Sequence, residues 1–344
     1  MRPERDIALR RVPRLRVKLL RASAVCKAGA YPKCFRIRKD SMDNPGGTAA
    51  SGPFEARYLA FLETITTLRS NLHRYCARMT GSVLDGEDVV QEALFEAYRK
   101  LDQFDDRRPL APWLFRIAHN RCIDFLRRRS VRHDAELAVM EPDVVQPVES
   151  HGRDVGRAVE HLVLALPPKE RACVLLKDVF DYTLEEIAEL VDSSVGGVKA
   201  ALNRGRLKLA KYPALWISPR KKDAEMSKLL HLYVERFNRR DWDGLRELIA
   251  DDARVQVADR FEGRVDEAPY FGNYARRRVA WQLAVGEVDG AAVVVILQQG
   301  EGVWVPQSCV RLEIADGRIQ RIVDFVHCPW VIAAATSVAF ERVS

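Results

Sequence analysis

The chain has 344 residues, enough at roughly 100–200 residues per domain for two or three domains with a core each. Its 47% hydrophobic and 30% charged residues exclude wholesale disorder and fibrous architectures, and its longest apolar run, the seven residues Ala291 to Leu297, excludes a membrane span of roughly 20. The formal charge of +7 is patchy: residues 1–40 hold 13 basic and three acidic side chains, a local +10 that leaves the remaining chain at −3.

Residues 1–53 read as a disordered basic extension. Lys18, Arg21 and Lys27 interrupt every apolar stretch, so a secretory signal is not expected, and serine is too scarce for an organelle transit peptide. Met42 opens Met-Asp-Asn-Pro-Gly-Gly, and residues 1–41 are expected to be dispensable, an overcalled start. The seven cysteines contain no C-x-x-C pair, which speaks against a disulfide framework and for a reducing cytoplasm.

From Phe54 to Met79, Tyr58, Leu62, Ile65, Leu68, Leu72 and Tyr75 recur at helical spacing, predicting one amphipathic helix or two. The next helix begins at Asp85-Gly-Glu-Asp88, with Asp85 as the expected cap. Between Asp85 and Asp106 stand eight carboxylates against two cations, whereas Arg107 to Arg132 hold eight arginines and one acid. A bundle that needs only solvation mixes its charges, so these opposed blocks point to two different partners. In the basic block, Leu114, Ala118, Cys122 and Phe125 are placed towards a core, and Arg116, Asn120, Arg121, Asp124, Arg127 and Arg128 towards the other side. Arginine pairs bidentately with phosphate, and Asn120 and Asp124 offer groups for exposed bases.

The stretch Asp88-Val-Val-Gln-Glu-Ala-Leu-Phe-Glu-Ala-Tyr, followed by Pro112-Trp-Leu-Phe-Arg-Ile-Ala-His-Asn-Arg-Cys-Ile-Asp-Phe-Leu-Arg-Arg-Arg, closely resembles region 2 of the extracytoplasmic-function sigma factors of the sigma-70 family. The resemblance implies that Asp88, Gln91, Glu92 and Phe95 dock on the β′ clamp helices of core RNA polymerase. It also implies that the helix bearing Trp113, Arg116, Asn120, Arg121, Asp124, Arg127 and Arg128 melts and holds the −10 promoter element. This block is bounded at 54–132.

Residues 133–154 carry Pro142, Pro147, Gly152 and six carboxylates with little apolar periodicity, which predicts an extended linker. At about 3.4 Å per residue it reaches roughly 75 Å, more than the ~58 Å that separates promoter elements some 17 base pairs apart. In residues 155–212, Thr183-Leu-Glu-Glu186 forms a capping box, a turn follows at Asp192 to Ser194, and Val195 to Ala210 is a second helix with Lys199, Asn203, Arg204, Arg206 and Lys208 outward. This is a helix-turn-helix pattern. It resembles sigma region 4, which implies binding of the −35 element and of the polymerase β flap. It departs from that family at Asp192, Gly197, Ala201 and Gly205, where glycine, threonine, arginine and alanine are usual, and its helix glycines predict a less rigid reader.

Residues 213–222 read as a second linker, 223–335 as an α+β domain and 336–344 as a tail. Helices are expected over Met226 to Phe237 and Leu245 to Ile249. Strands are expected over Val293 to Leu297, Cys309 to Ile314 and Ile319 to Val326, with Asp316-Gly317 as a hairpin turn. Tyr233-Val-Glu-Arg-Phe-Asn-Arg-Arg-Asp-Trp-Asp-Gly-Leu and Leu248-Ile-Ala-Asp-Asp-Ala-Arg-Val resemble the opening of SnoaL-like domains of the NTF2-like superfamily, which implies a sheet wrapped by helices around a conical pocket. Candidate pocket residues are Tyr270, Trp281, Trp304, Asp324 and His327, and the Asp-x-x-His pair has the chemistry of an acid–base couple. Packing is the more economical reading of the aromatics.

The expected fold is therefore two all-α domains followed by an α+β cone. The expected function is that of an alternative sigma factor regulated in cis by its C-terminal domain, non-enzymatic, with core polymerase and promoter DNA as partners and a small-molecule ligand left open. Two rivals are carried: a small-molecule enzyme using the C-terminal pocket, and a polymerase-independent helix-turn-helix repressor. No cofactor is expected, and no metal: His119 and Cys122 stand three apart, but two ligands make no closed zinc site.

Overall fold

The computed structural model describes residues 53–105, 107–137, 166–211, 224–300 and 302–341. The expectations for residues 1–52 and for most of both linkers lie outside these residues.

Helix α1 (Pro53–Thr80) is unbroken. Helix α2 (Val83–Arg99) starts two residues before the expected cap, because Ser82 takes that role and its Oγ accepts from the Asp85 amide at 3.2 Å. Asp85 sits instead in the first turn, where its charge complements the positive end of the helix dipole. Gly86 lies where the two helices cross: a Cβ there would come within 2.5 Å of the Ala77 backbone nitrogen. Helix α3 (Leu110–Leu137) runs five residues beyond the expected domain end at 132. As placed from the sequence, Leu114, Ala118 and Cys122 are buried, and Phe125 packs partly against the same core.

The second helical block opens with α4 (Pro168–Val174), which continues as a π-helical turn at Leu175–Val179. The expected capping box opens α5 (Leu184–Leu190): the Thr183 amide donates to Glu186 Oε2 at 2.7 Å, and the Glu186 amide to Thr183 Oγ1 at 3.2 Å. Asp192 turns the chain with φ 49°, a left-handed conformation that aspartate tolerates better than most residues. Helix α6 (Val195–Lys211) follows. Gly205 corrects the expectation of looseness: a Cβ would stand 2.9 Å from Val174 Cγ2, so the missing side chain permits a close α4–α6 contact. The two helical blocks share one core. Phe180 lies edge-on to Tyr75 and Phe115, with centroids 5.9 and 6.1 Å away, and the buried Arg171 donates to the carbonyls of Met79 and Leu166.

The C-terminal part is α+β, as expected. Helices α7 (Ala224–Asn238) and α8 (Trp242–Glu247) precede strands β1 (Ile249–Val257) and β2 (Phe261–Arg264), then α9 (Tyr270–Ala275) and β3 (Trp281–Val288). Strands β4 (Ala291–Gly300), β5 (Val303–Ala315) and β6 (Arg318–Asp324), helix α10 (Pro329–Ala334) and β7 (Val338–Phe340) complete it. The sheet order is β2-β1-β6-β5-β4-β3-β7, with β1 and β6 parallel and the other pairs antiparallel. Ile249, expected at a helix end, is the first residue of β1. The expected tail at 336–344 instead supplies the edge strand β7, paired to β3.

One face of this sheet packs on α7, α8 and α9 through Tyr233, Phe237, Leu245 and Tyr270. The other face carries Val293, Val295, Leu297, Cys309, Val323 and Phe325, and it is covered by α10 and by Ala77, Val83 and Leu84 of the first helical block. Burial on both sides explains why β4 reads as a continuous apolar run rather than an alternating one.

Candidate polymerase and promoter interfaces

The acidic helix α2 meets the C-terminal domain along its first half. Asp88 accepts from Arg311 Nη2 of β5 at 2.7 Å, and Arg311 Nη1 lies 3.5 Å from Asp85. Gln91 accepts from Gln256 Nε2 of β1 at 3.0 Å and donates to Glu87 at 3.2 Å. Burial pushes the Asp88 carboxyl up from its ordinary value, against the opposing pull of Arg311. The other two residues on this face are differently placed: Glu92 is exposed, 3.6 Å from Arg128, and Phe95 is 63% exposed.

Beneath these contacts lies a buried ionic cluster not foreseen from the sequence. Arg69 of α1 pairs with Glu87 of α2 and donates to both carboxylate oxygens of Asp259, at 2.8 and 2.9 Å, from the turn after β1. Trp330 of α10 donates its indole N–H to Glu87 at 2.7 Å, and its ring lies 5.2 Å from the Arg69 guanidinium. Burial works against the Arg69 charge, but Glu87 and Asp259 outweigh it and hold the guanidinium above its ordinary pKa. Glu87, Asp259 and Cys328 bring donor atoms within 4.8 Å of one another. The cation among them is Arg69.

On α3, Trp113 is half-buried against Phe104, with ring centroids 4.8 Å apart, and Arg116 and Asn120 are exposed. Arg121 is turned towards α2, where it pairs with Glu96. Arg127 donates to Asp124 at 3.2 Å. Arg121 and Arg128 thus bridge to acids of the neighbouring helix, while Arg116 and Asn120 stay outward. Asn120 and Asp124 line a groove of about 510 Å³ whose opposite wall is Lys169 and Val191 of the second block.

On α6, Lys199 and Asn203 are exposed. Arg204 and Lys208 both bind Glu170, at 2.9 and 2.8 Å, and with them Glu170 is held below the usual carboxylate range, first through Lys208. Arg206 pairs with Asp178, its Nε at 3.1 Å, which raises its pKa. Three of the five candidate base- and phosphate-facing residues are therefore engaged by acids of their own block.

In the C-terminal domain Asp324 is fully buried and accepts from Tyr270 and Tyr274 hydroxyls at 3.0 and 2.6 Å and from the Val326 amide at 2.8 Å. Among the described residues, its hydrogen bonds do not come from His327. Burial raises the Asp324 carboxyl, against the tyrosine and amide donors, and lowers the His327 imidazole. Trp281 lines a cavity of about 120 Å³ with Arg277, Gln298 and Ser308. Trp304 packs with the cluster on the opposite sheet face. Four of the five candidate pocket residues thus divide between a buried carboxylate network, a small cavity and the far face of the sheet, and the fifth, His327, is exposed in the turn after β6.

Known proteins match the two helical blocks. Residues 64–132 match the family model Sigma-70 region 2, and residues 156–209 match Sigma-70, region 4. The chain is 34% identical over 164 residues to the ECF RNA polymerase sigma factor SigW of Bacillus subtilis (strain 168), covering 44% of this chain and 88% of that protein. It is 30% identical over 217 residues to SigG of Mycobacterium tuberculosis, where it spans 54% of this chain and 58% of that one. Among solved structures, the extracytoplasmic-function sigma factor SigJ of M. tuberculosis aligns over 78% of this chain and 97% of its own at 19% identity, with a TM-score of 0.31. With region 2 and region 4 in order and most of SigW's length matched, the chain belongs to the extracytoplasmic-function family of RNA polymerase sigma factors.

Proposed function

We propose that this alternative sigma factor works by binding rather than by bond chemistry, with its C-terminal α+β domain acting on it in cis. Asp88, Gln91, Glu92 and Phe95 form the face for the β′ clamp helices. Trp113, Arg116, Asn120, Arg121, Asp124, Arg127 and Arg128 serve the −10 element, and Lys199, Asn203, Arg204, Arg206 and Lys208 the −35 element, with the second block also meeting the β flap. The site of action is the cytoplasm. The observation that carries the reading is the exposed Phe95 beside Glu92 on an acidic helix, backed by an arginine-bearing helix whose Asn120 opens on a groove. An exposed aromatic on a carboxylate-rich face suits a basic protein partner with an apolar anchor point.

The geometry lends no support to the enzyme rival. Asp324 accepts from two tyrosine hydroxyls and an amide, and among the described residues its hydrogen bonds do not come from His327. A small ligand in the 120 Å³ cavity remains part of the proposal only as a non-catalytic input. The repressor rival accounts for the docked Asp88 and Gln91 but leaves the exposed Phe95 of α2 without a purpose.

The test is reconstituted transcription with core polymerase. The full chain and a chain of residues 42–211 are compared, each with and without Phe95→Ala. Promoter-specific initiation by the full chain, reduced at least tenfold by Phe95→Ala, is expected. Absence of initiation from any promoter by either length overturns the assignment.

A further inference from the structure

We infer that the C-terminal domain and core polymerase compete for one face of α2, and that the domain covers only half of it, leaving a foothold from which polymerase displaces it. This rests on the assignment of Asp88, Gln91, Glu92 and Phe95 to the polymerase. The covered half is specific. Arg311 sits between Asp85 and Asp88, with Asp88 at 2.7 Å, and Gln256 occupies Gln91. Arg311 and Gln256 thus stand in the approach that a second protein partner would need to reach Asp88 Oδ2 and Gln91 Oε1. The uncovered half is equally specific: Glu92 is exposed and Phe95 is 63% exposed, one and two helical turns further along the same stripe from Asp88.

The composition of the contact fits reversible docking. At its centre stands the Arg69–Glu87–Asp259 cluster with Trp330, flanked by Ala77, Val83, Leu84 and Val331. Among the described residues, Arg69 Nε and Nη1 and Arg311 Nε are buried without hydrogen-bond partners. The charged and polar groups of this contact are rehydrated when the domains part, so undocking costs less than separating a wholly apolar interface of the same size. Two of the cluster's members, Arg69 and Glu87, belong to the helical block and stay paired after separation, which leaves the freed α2 face intact for its other partner.

Affinity of the full chain for core polymerase, measured by fluorescence anisotropy at fixed ionic strength, tests the inference. Arg311→Glu places a fourth carboxylate beside Asp85, Asp88 and Glu313, and Trp330→Ala removes the Glu87 bond from the other side of the contact. Each is expected to tighten polymerase binding at least tenfold and to speed hydrogen exchange over residues 85–91, with helical content unchanged. Phe95→Ala is expected to weaken binding at least tenfold in both the original chain and the Arg311→Glu chain. If Phe95→Ala weakens binding while both docking variants bind as the original does, the competition is overturned and the clamp assignment stands. If Phe95→Ala has no effect in any chain, the clamp assignment itself fails.

Discussion

Two histidines show how single residues set the pH range of this fold. His73 is fully buried, its Nε2 2.9 Å from the Val83 carbonyl, and His119 is buried with Nδ1 2.8 Å from the Tyr75 hydroxyl. Burial lowers both imidazoles to about 4. In the unfolded chain they titrate near 6.5, so between about 6.5 and 4 the unfolded state holds more protons than the folded one. Stability is therefore complete above pH 6.5 and falls as the pH drops towards 4, by about 2 kcal/mol per histidine at pH 5. Urea unfolding at pH 7.5 and pH 5 checks this, and a His119→Gln chain is expected to lose part of the difference; equal midpoints at the two pH values would sink it. Arg69 makes the complementary point about legibility. The stripe Ile65, Leu68, Leu72 and Tyr75 announces one buried face of α1, but Arg69, His73 and Thr80 form a second buried face. Polar residues at helical spacing read as solvated, and the partner bearing Asp259 and Trp330 that makes Arg69 interior is far away along the chain.

At the scale of elements, glycine placement has the clearest energetic content. Gly205 is buried where α6 meets α4, and a Cβ would stand 2.9 Å from Val174 Cγ2 and 3.6 Å from the Glu170 carbonyl oxygen. Gly205→Ala gains helix propensity of about 1 kcal/mol but meets an overpacking cost of about 1–3 kcal/mol. A net loss of stability and weaker binding to promoter fragments are expected, by urea melts and gel shift; a stabilised variant would contradict the close approach. The elements read from periodicity were mostly recoverable: the Thr183–Glu186 capping box, the turn at Asp316-Gly317 with φ 53° and 71°, and the three strands β4, β5 and β6. Strand β1 escaped because Asp251-Asp252 interrupts its apolar pattern at the exposed stretch before Ala253. Strand β3 opens on Trp281 after a run of arginines, and β7 is three residues long, too short to carry a period.

For the whole molecule, the helical blocks are packed together while their expected targets lie far apart. Tyr75 and Phe115 meet Phe180, and Arg171 reaches the Met79 carbonyl. Reading two promoter elements ~58 Å apart requires these contacts to open, which bares the aromatic cluster. Hydrogen exchange in residues 168–180 is expected to rise at least tenfold when the full chain joins core polymerase and promoter DNA; unchanged protection would mean that the blocks read DNA without separating. The candidate site was legible only in part for the same reason. Sequence spacing places Asp88, Gln91, Glu92 and Phe95 on one stripe, but it carries no information about Arg311 or Gln256, which lie more than 160 residues away along the chain.

The covering of α2 by a domain on the same polypeptide has a consequence for gene dosage. A free inhibitor is outnumbered when its target is overproduced, whereas a tethered one is present once per copy at a local concentration fixed by its linker. If the domain restrains α2 as proposed, raising expression of this factor multiplies restrained molecules in proportion, and abundance alone does not free them.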